Sequence, residues 1–94
     1  MPYMFVRATV EDYATFRDVF DDAEEMRQSA KSTGEAVYRS ADNPDEVTVQ
    51  IEFSTVEDAK IFALSPGLRQ AMQKAGIQGP PTIWFVNETL SRLT

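Results

Sequence analysis

The chain contains neither cysteine nor histidine. Without cysteine it has no disulfide framework and no thiolate metal site. Without histidine it lacks the commonest general base and the commonest metal ligand. Ser-His-Asp and Cys-His nucleophile systems are therefore excluded, as is every zinc site built on imidazole or thiolate. Bases are scarce: nine Lys and Arg stand against fifteen Asp and Glu, a net charge of −6. They are scattered rather than gathered into the basic stripe that phosphate recognition requires, so neither nucleic acid nor an anionic membrane is an expected partner. No run approaches the roughly 20 apolar residues of a membrane-spanning helix. The first strand pattern begins at Tyr3, which leaves no room for a signal peptide, and a cytoplasmic protein is expected.

What is present suffices for one core. The 94 residues are 43 % apolar and 26 % charged, in keeping with a single globular domain, residues 1–94. One phrase occurs twice. Thr9-Val10-Glu11-Asp12-Tyr13-Ala14-Thr15-Phe16 returns as Thr55-Val56-Glu57-Asp58-Ala59-Lys60-Ile61-Phe62. Each copy follows an extended apolar run and opens a helical pattern, which points to two copies of a strand–helix–strand unit.

Taken in order, Met1 to Ala8 reads as a strand that is largely apolar on both faces. Thr9 is the expected cap of the first helix, with Asp12 three residues on as in a capping box. Tyr13, Phe16, Val19, Phe20, Ala23, Met26 and Ala30 form its apolar stripe. Lys31 to Gly34 is a loop in which Gly34 is free to turn left-handed. Glu35 to Ala41 and Glu46 to Ser54 form a hairpin about the turn Asp42-Asn43-Pro44-Asp45. The second of these strands alternates Val47, Val49, Ile51 and Phe53 with polar residues. A helix starts at Ser54 or Thr55, is broken at Ser65-Pro66-Gly67, and ends at Gly76-Ile77 in a Schellman-like cap. Gly79-Pro80-Pro81 leads into a last strand, Thr82 to Asn87, and the tail from Glu88 to Thr94 extends that strand or crosses to a partner.

The order strand, helix, strand, strand, helix, strand predicts a ferredoxin-like α+β fold, βαββαβ, with a four-stranded antiparallel sheet and both helices on one face. Matching the two phrases, and Gly34 with Gly79, gives a register. It places Phe5, Tyr38, Val49, Ile51, Phe53, Ile83 and Phe85 under the helices. The other face then shows Met4, Val6, Val37, Arg39, Gln50, Glu52, Trp84 and Val86. A one-residue slip would invert any strand. A face so apolar needs cover, and a two-fold dimer joined sheet to sheet supplies it.

Over nearly its whole length the chain resembles the dimeric α/β-barrel superfamily, which includes antibiotic biosynthesis monooxygenases and stress-responsive barrel proteins. It is most like small bacterial members without an assigned activity. The likeness rests on Tyr3-Met4-Phe5-Val6-Arg7, Val10-Glu11-Asp12-Tyr13, Phe16-Arg17 and Val19-Phe20-Asp21. It continues in Val56-Glu57-Asp58-Ala59, in Ser65-Pro66-Gly67-Leu68-Arg69-Gln70-Ala71-Met72 and in Gly79-Pro80-Pro81. These are scaffold motifs. Such relatives often place a histidine directly after the Val-Arg pair of the first strand, where this chain has Ala8; chemistry that used the imidazole does not carry over.

The candidate ligand pocket is the sheet face holding Arg39, Gln50, Glu52 and Trp84, polar groups within a mostly apolar enclosure. The plainer reading pairs Arg39 with Glu52 across neighbouring strands in support of a dimer interface. The resemblance implies a small apolar or aromatic molecule that reacts with oxygen without a cofactor. Trp84 or Tyr38 would be the aromatic wall, Arg39 and Gln50 would stabilise a developing anion, and Glu52 would act as base. No catalytic residue is singled out by pattern, and no metal is expected. Asp18, Asp21, Asp22 and Glu25 lie on one helix without a glycine-punctuated calcium loop and read as a solvated face. The competing reading is a non-catalytic stress-response or interaction module with a packed interior.

Overall fold

A computed structural model describes residues 1–93. Its elements run β1 (Pro2–Val10), α1 (Tyr13–Asp22), α2 (Glu24–Ser29), β2 (Ser32–Arg39), β3 (Glu46–Phe53), α3 (Val56–Ala63), α4 (Pro66–Lys74) and β4 (Ile77–Asn87). The strands form one antiparallel sheet in the order β2-β3-β1-β4. This is the ferredoxin-like βαββαβ arrangement, with each helical segment interrupted once, at Ala23 and at Leu64-Ser65. Residues 88–93 form no regular element, although Glu88 N–H still donates to the Met1 carbonyl at 3.2 Å. Thr94, the end of the tail expected to lengthen β4 or cross to a partner, lies outside the described residues.

Several boundaries differ from the sequence reading. Thr9 does not cap a helix; it lies in β1, opposite Glu46 on β3 and Gln78 on β4. Pairing on both sides holds the chain extended as far as Val10. The cap is Asp12, whose carboxylate accepts from Thr15 N–H at 3.0 Å and Thr15 Oγ1 at 2.8 Å. In the second unit Thr55 does cap, accepting from Asp58 N–H at 3.1 Å. Ser65 caps α4 through Leu68 N–H at 3.3 Å, with Pro66 in the first turn. Gly34 is not the left-handed residue after α2: that role falls to Lys31, at φ 72°, and β2 begins at Ser32. Gly76, at φ 75°, closes α4 as expected, and its carbonyl receives Glu11 N–H at 3.0 Å.

The core lies between sheet and helices. Met4, Val6, Ala8 and Val10 from β1 and Val47, Val49, Ile51 and Phe53 from β3 are buried there with Phe16, Ala59, Phe62 and Ala75. Val37, Ile83 and Phe85 pack against them from the edge strands. Phe53 and Met4 have no exposed surface, and burial of a side chain of that size contributes about 1.5–3 kcal/mol.

The expected faces hold for β3 and β4 and fail for β1 and β2. Met4 and Val6, expected on the open face, are core residues, and Phe5 is on the open face instead. The cause is the choice of repeat. The two Thr phrases are 46 residues apart, whereas helices α1 and α3 begin 43 residues apart, at Tyr13 and Val56. The difference is odd, so it exchanges the faces of β1. In β2 the match of Gly34 with Gly79 fails: Gly34 pairs opposite Glu52 in a continuous register, whereas Gly79 falls in the irregular stretch of β4 between Gln78 and Thr82, so Val37 sits opposite Val49 in the core and Tyr38 opposite Thr48 on the far side.

Candidate functional site

Two surfaces carry chemistry, one on each side of the sheet. On the open face, cross-strand neighbours form rows because directly opposed residues point the same way. One row runs Ala36, Gln50, Phe5, Trp84; the next runs Gly34, Glu52, Tyr3, Val86. Phe5 and Trp84 stack with ring centroids 5.3 Å apart and planes 13° apart. Tyr3 lies 6.3 Å from Phe5. Tyr38 donates to Gln50 Oε1 at 2.8 Å, and Thr33 donates to Glu52 Oε1 at 2.8 Å.

Of the four candidate pocket residues, the structure brings Gln50, Glu52 and Trp84 together on this face and removes Arg39. Arg39 lies on the helix side, its guanidinium 4.2 Å from the centre of the Tyr13 ring and its Nε donating to the Pro44 carbonyl at 2.8 Å. The proposed Arg39–Glu52 pair therefore does not form. The inequivalence of Gly34 and Gly79 is the reason, and it also brings Tyr38 in. Tyr3 and Phe5 also belong to this face, which the phrase alignment does not show because it places Phe5 under the helices. The phenol of Tyr3 reaches Glu88 Oε1 at 3.4 Å. Loss of water around it raises its pKa above the tyrosine norm, and Glu52 and Glu88 add to that by hydrogen bonding and by charge.

Two concave sites lie on the other side of the sheet. A cavity of about 60 Å³ is lined by Val6 and Val49 below and by Phe16, Phe62 and Met72 above, with Arg27 in its wall. Arg27 is the one charged residue in an otherwise apolar lining. A groove of about 290 Å³ runs on the surface between α1–α2 and α4, edged by Asp22, Gln70 and Lys74. Cavity and groove share a wall of Val19, Ala23, Met26 and Ala71. None of Arg39, Gln50, Glu52 and Trp84 lines either space. The room exists because the facing positions are small: Ala23 and Gly67, then Ala71 and Ala75 on successive turns of α4. That run of small residues is the signal in the sequence that could have indicated it.

Arg27 is only 3 % exposed and fully engaged in structure. Its Nε and Nη2 donate to the two oxygens of Glu35 at 2.6 and 3.2 Å, and Nη1 donates to the Phe20 carbonyl at 2.7 Å. Its guanidinium lies 3.7 Å from the centre of the Phe20 ring. This forked pair ties α2 to β2 and fixes one end of the cavity. The carboxylates of α1 are exposed and Asp21 pairs with Arg17 at 3.1 Å. Among the described residues no group of three or more acidic side chains is placed to hold a metal. No helix there is long and apolar enough to cross a membrane.

Comparison with known proteins rests on structure alone. No protein-family model and no curated protein matches the chain. Among solved structures, an antibiotic biosynthesis monooxygenase-like protein from Bordetella bronchiseptica superposes with a TM-score of 0.83 at 19 % identity, over 95 % of this chain and 97 % of that one. A counterpart from Nitrosomonas europaea gives 0.75 at 14 % identity, over 94 % and 89 %. SnoaB of Streptomyces nogalater, a cofactor-independent oxygenase, gives 0.77 at 14 % identity, over 97 % and 96 %. At these identities the likeness is one of fold, and it spans nearly the whole chain. The chain has the fold of the antibiotic biosynthesis monooxygenase-like proteins.

Proposed function

We propose that this protein binds a small apolar or aromatic molecule between its helices and its sheet, as a homodimer joined through the open sheet face. The observation that carries the first part is the adjoining pair of spaces, an apolar cavity backed by a roomier groove with a polar rim. Small-molecule sites have this composition, mostly apolar walls with a few placed polar groups. A cavity needs about 150 Å³ to take a benzene-sized ring, so a ring does not fit the inner space alone and must also occupy the groove. The apolar end would lie against Phe16 and Met72, and a polar end would reach Gln70 or Lys74.

The dimer is supported by the character of the open face. Trp84 is 37 % and Tyr38 51 % exposed, and they continue the patch formed by Tyr3, Phe5 and Val86. Gln50 and Glu52 have partners within their own chain and would support this interface rather than hold a ligand.

A cofactor-independent oxygenation is the chemistry to test first, because SnoaB, which shares the fold, is an oxygenase of that kind. Here groove and cavity together would hold the substrate with dioxygen beside its apolar end, and Arg27, already paired with Glu35, would fix the wall of the site. The reading with a packed interior predicts no occupant. Native mass spectrometry of freshly purified protein, followed by denaturing analysis of anything released, decides between them. A dimer carrying a small organic molecule is expected, and it should be lost in Ala71→Trp, which fills the shared wall. An empty dimer that also fails to take up 1-naphthol would favour the packed module.

A further inference from the structure

Within the ligand-binding reading on which this inference rests, the wall between groove and cavity has one movable part. Val19, Ala23 and Ala71 are short or branched and fixed by their helices, whereas Met26 is long and unbranched with three rotatable side-chain bonds. Met26 is half-buried on α2 and its side chain crosses to α4. Its sulfur rests against Gly67: a Cβ added at Gly67 would stand 2.8 Å from Sδ and 3.8 Å from Cγ. Gly67 lines the groove and not the cavity, while Met26 lines both. The missing side chain at Gly67 is thus the seat of the thioether.

We propose that Met26, seated on Gly67, is the specificity-determining residue of the site, controlling passage from groove to cavity and so the largest apolar group that reaches the interior. In the observed position the inner space of about 60 Å³ accepts only a group of a few heavy atoms. When Met26 swings off Gly67 the two spaces merge and admit a ring. Met72 supplies an internal comparison. It has the same side chain and lines the same cavity, but it has no part in the groove.

The test uses xenon as the apolar probe, with exchange between bound and free gas followed by NMR in the wild type, Met26→Ala, Met72→Ala and Gly67→Ala. Met26→Ala should exchange xenon at least 10-fold faster than the wild type. Met72→Ala, which enlarges the cavity away from the groove, should raise occupancy and leave exchange within 2-fold. Gly67→Ala keeps the helix and unseats the sulfur, and should change the exchange rate at least 3-fold. Exchange within 2-fold of wild type in both Met26→Ala and Gly67→Ala, with xenon bound, would overturn the role of Met26 and leave the cavity as a binding site. No xenon in the wild type or in either methionine variant would instead remove the binding reading itself, and this inference with it.

Discussion

The ring of Phe5 lies flat on that of Trp84, 5.3 Å between centroids, across the pairing of β1 with β4. The stack stands on the open face of the sheet, with Trp84 still 37 % exposed. A second copy covering this face would desolvate both rings. Trp84→Glu places a charge there and should shift the protein to monomer in sedimentation velocity, with its far-UV circular dichroism unchanged. Wild-type tryptophan emission should move to the blue as concentration rises through the dimer range. A Trp84→Glu protein that sediments like the wild type would show that this face is not the interface.

The part-buried Arg27–Glu35 fork predicts an asymmetric response to mutation. Glu35→Ala leaves two donors of a guanidinium that is 3 % exposed without their partner, which costs about 1–3 kcal/mol. Arg17→Ala, which breaks only the exposed pair with Asp21, should not shift the urea midpoint measurably. Equal midpoints for the two variants would contradict the structural role given to Arg27.

Glycines 34 and 76 should separate in the same assay. Gly76 has φ 75°, and an added Cβ would lie 3.4 Å from Glu11 Cβ; Gly76→Ala should cost about 1–2 kcal/mol. Gly34 is in β2 with only ordinary contacts at 3.7 Å and beyond, so Gly34→Ala should be tolerated.

That contrast also measures what the sequence could convey. The order of elements, the broken second helix at Ser65-Pro66 and the left-handed Gly76 follow from local patterns, and all are present. The sheet faces do not follow from local patterns where a strand is apolar on both sides. Phe5 and Val6 are both apolar, and the pairing of β1 with its neighbours decides which is buried, which the phrase repeat, three residues off the structural repeat, does not show. Arg39 enters the candidate site through the same weakness, since Gly34 and Gly79 are not equivalent positions, and it lies beside Tyr13. The cavity was illegible for another reason: it depends on small residues from separate helices facing one another, and no single segment carries that.

Two groups give opposite responses to pH. Hydrogen bonds from the Thr15 hydroxyl and then its backbone N–H hold Asp12 below the ordinary carboxylate value of 3.8. Its folded form is favoured as the anion, so the stability it adds is present above pH 3.8 and is lost as pH falls through the lower folded value. Desolvation and then Glu52 and Glu88 raise Tyr3 above 10.0. Its folded form is favoured as the neutral phenol, so its contribution is complete below pH 10 and is lost as pH rises through the folded value. Asp12→Asn should flatten the acid limb of a stability–pH curve and Tyr3→Phe the alkaline limb; unchanged limbs would refute the assignments.

The most direct test of a ligand site on the helix side is a titration of methyl-labelled protein with 1-naphthol, followed by two-dimensional NMR. The account predicts shifts at the methyls of Val19, Met26, Leu68 and Met72, with Val86 beside Trp84 on the sheet face unmoved. Shifts confined to Val86 and the Trp84 indole would place the ligand on the open face and contradict it, as would a spectrum that does not change at all.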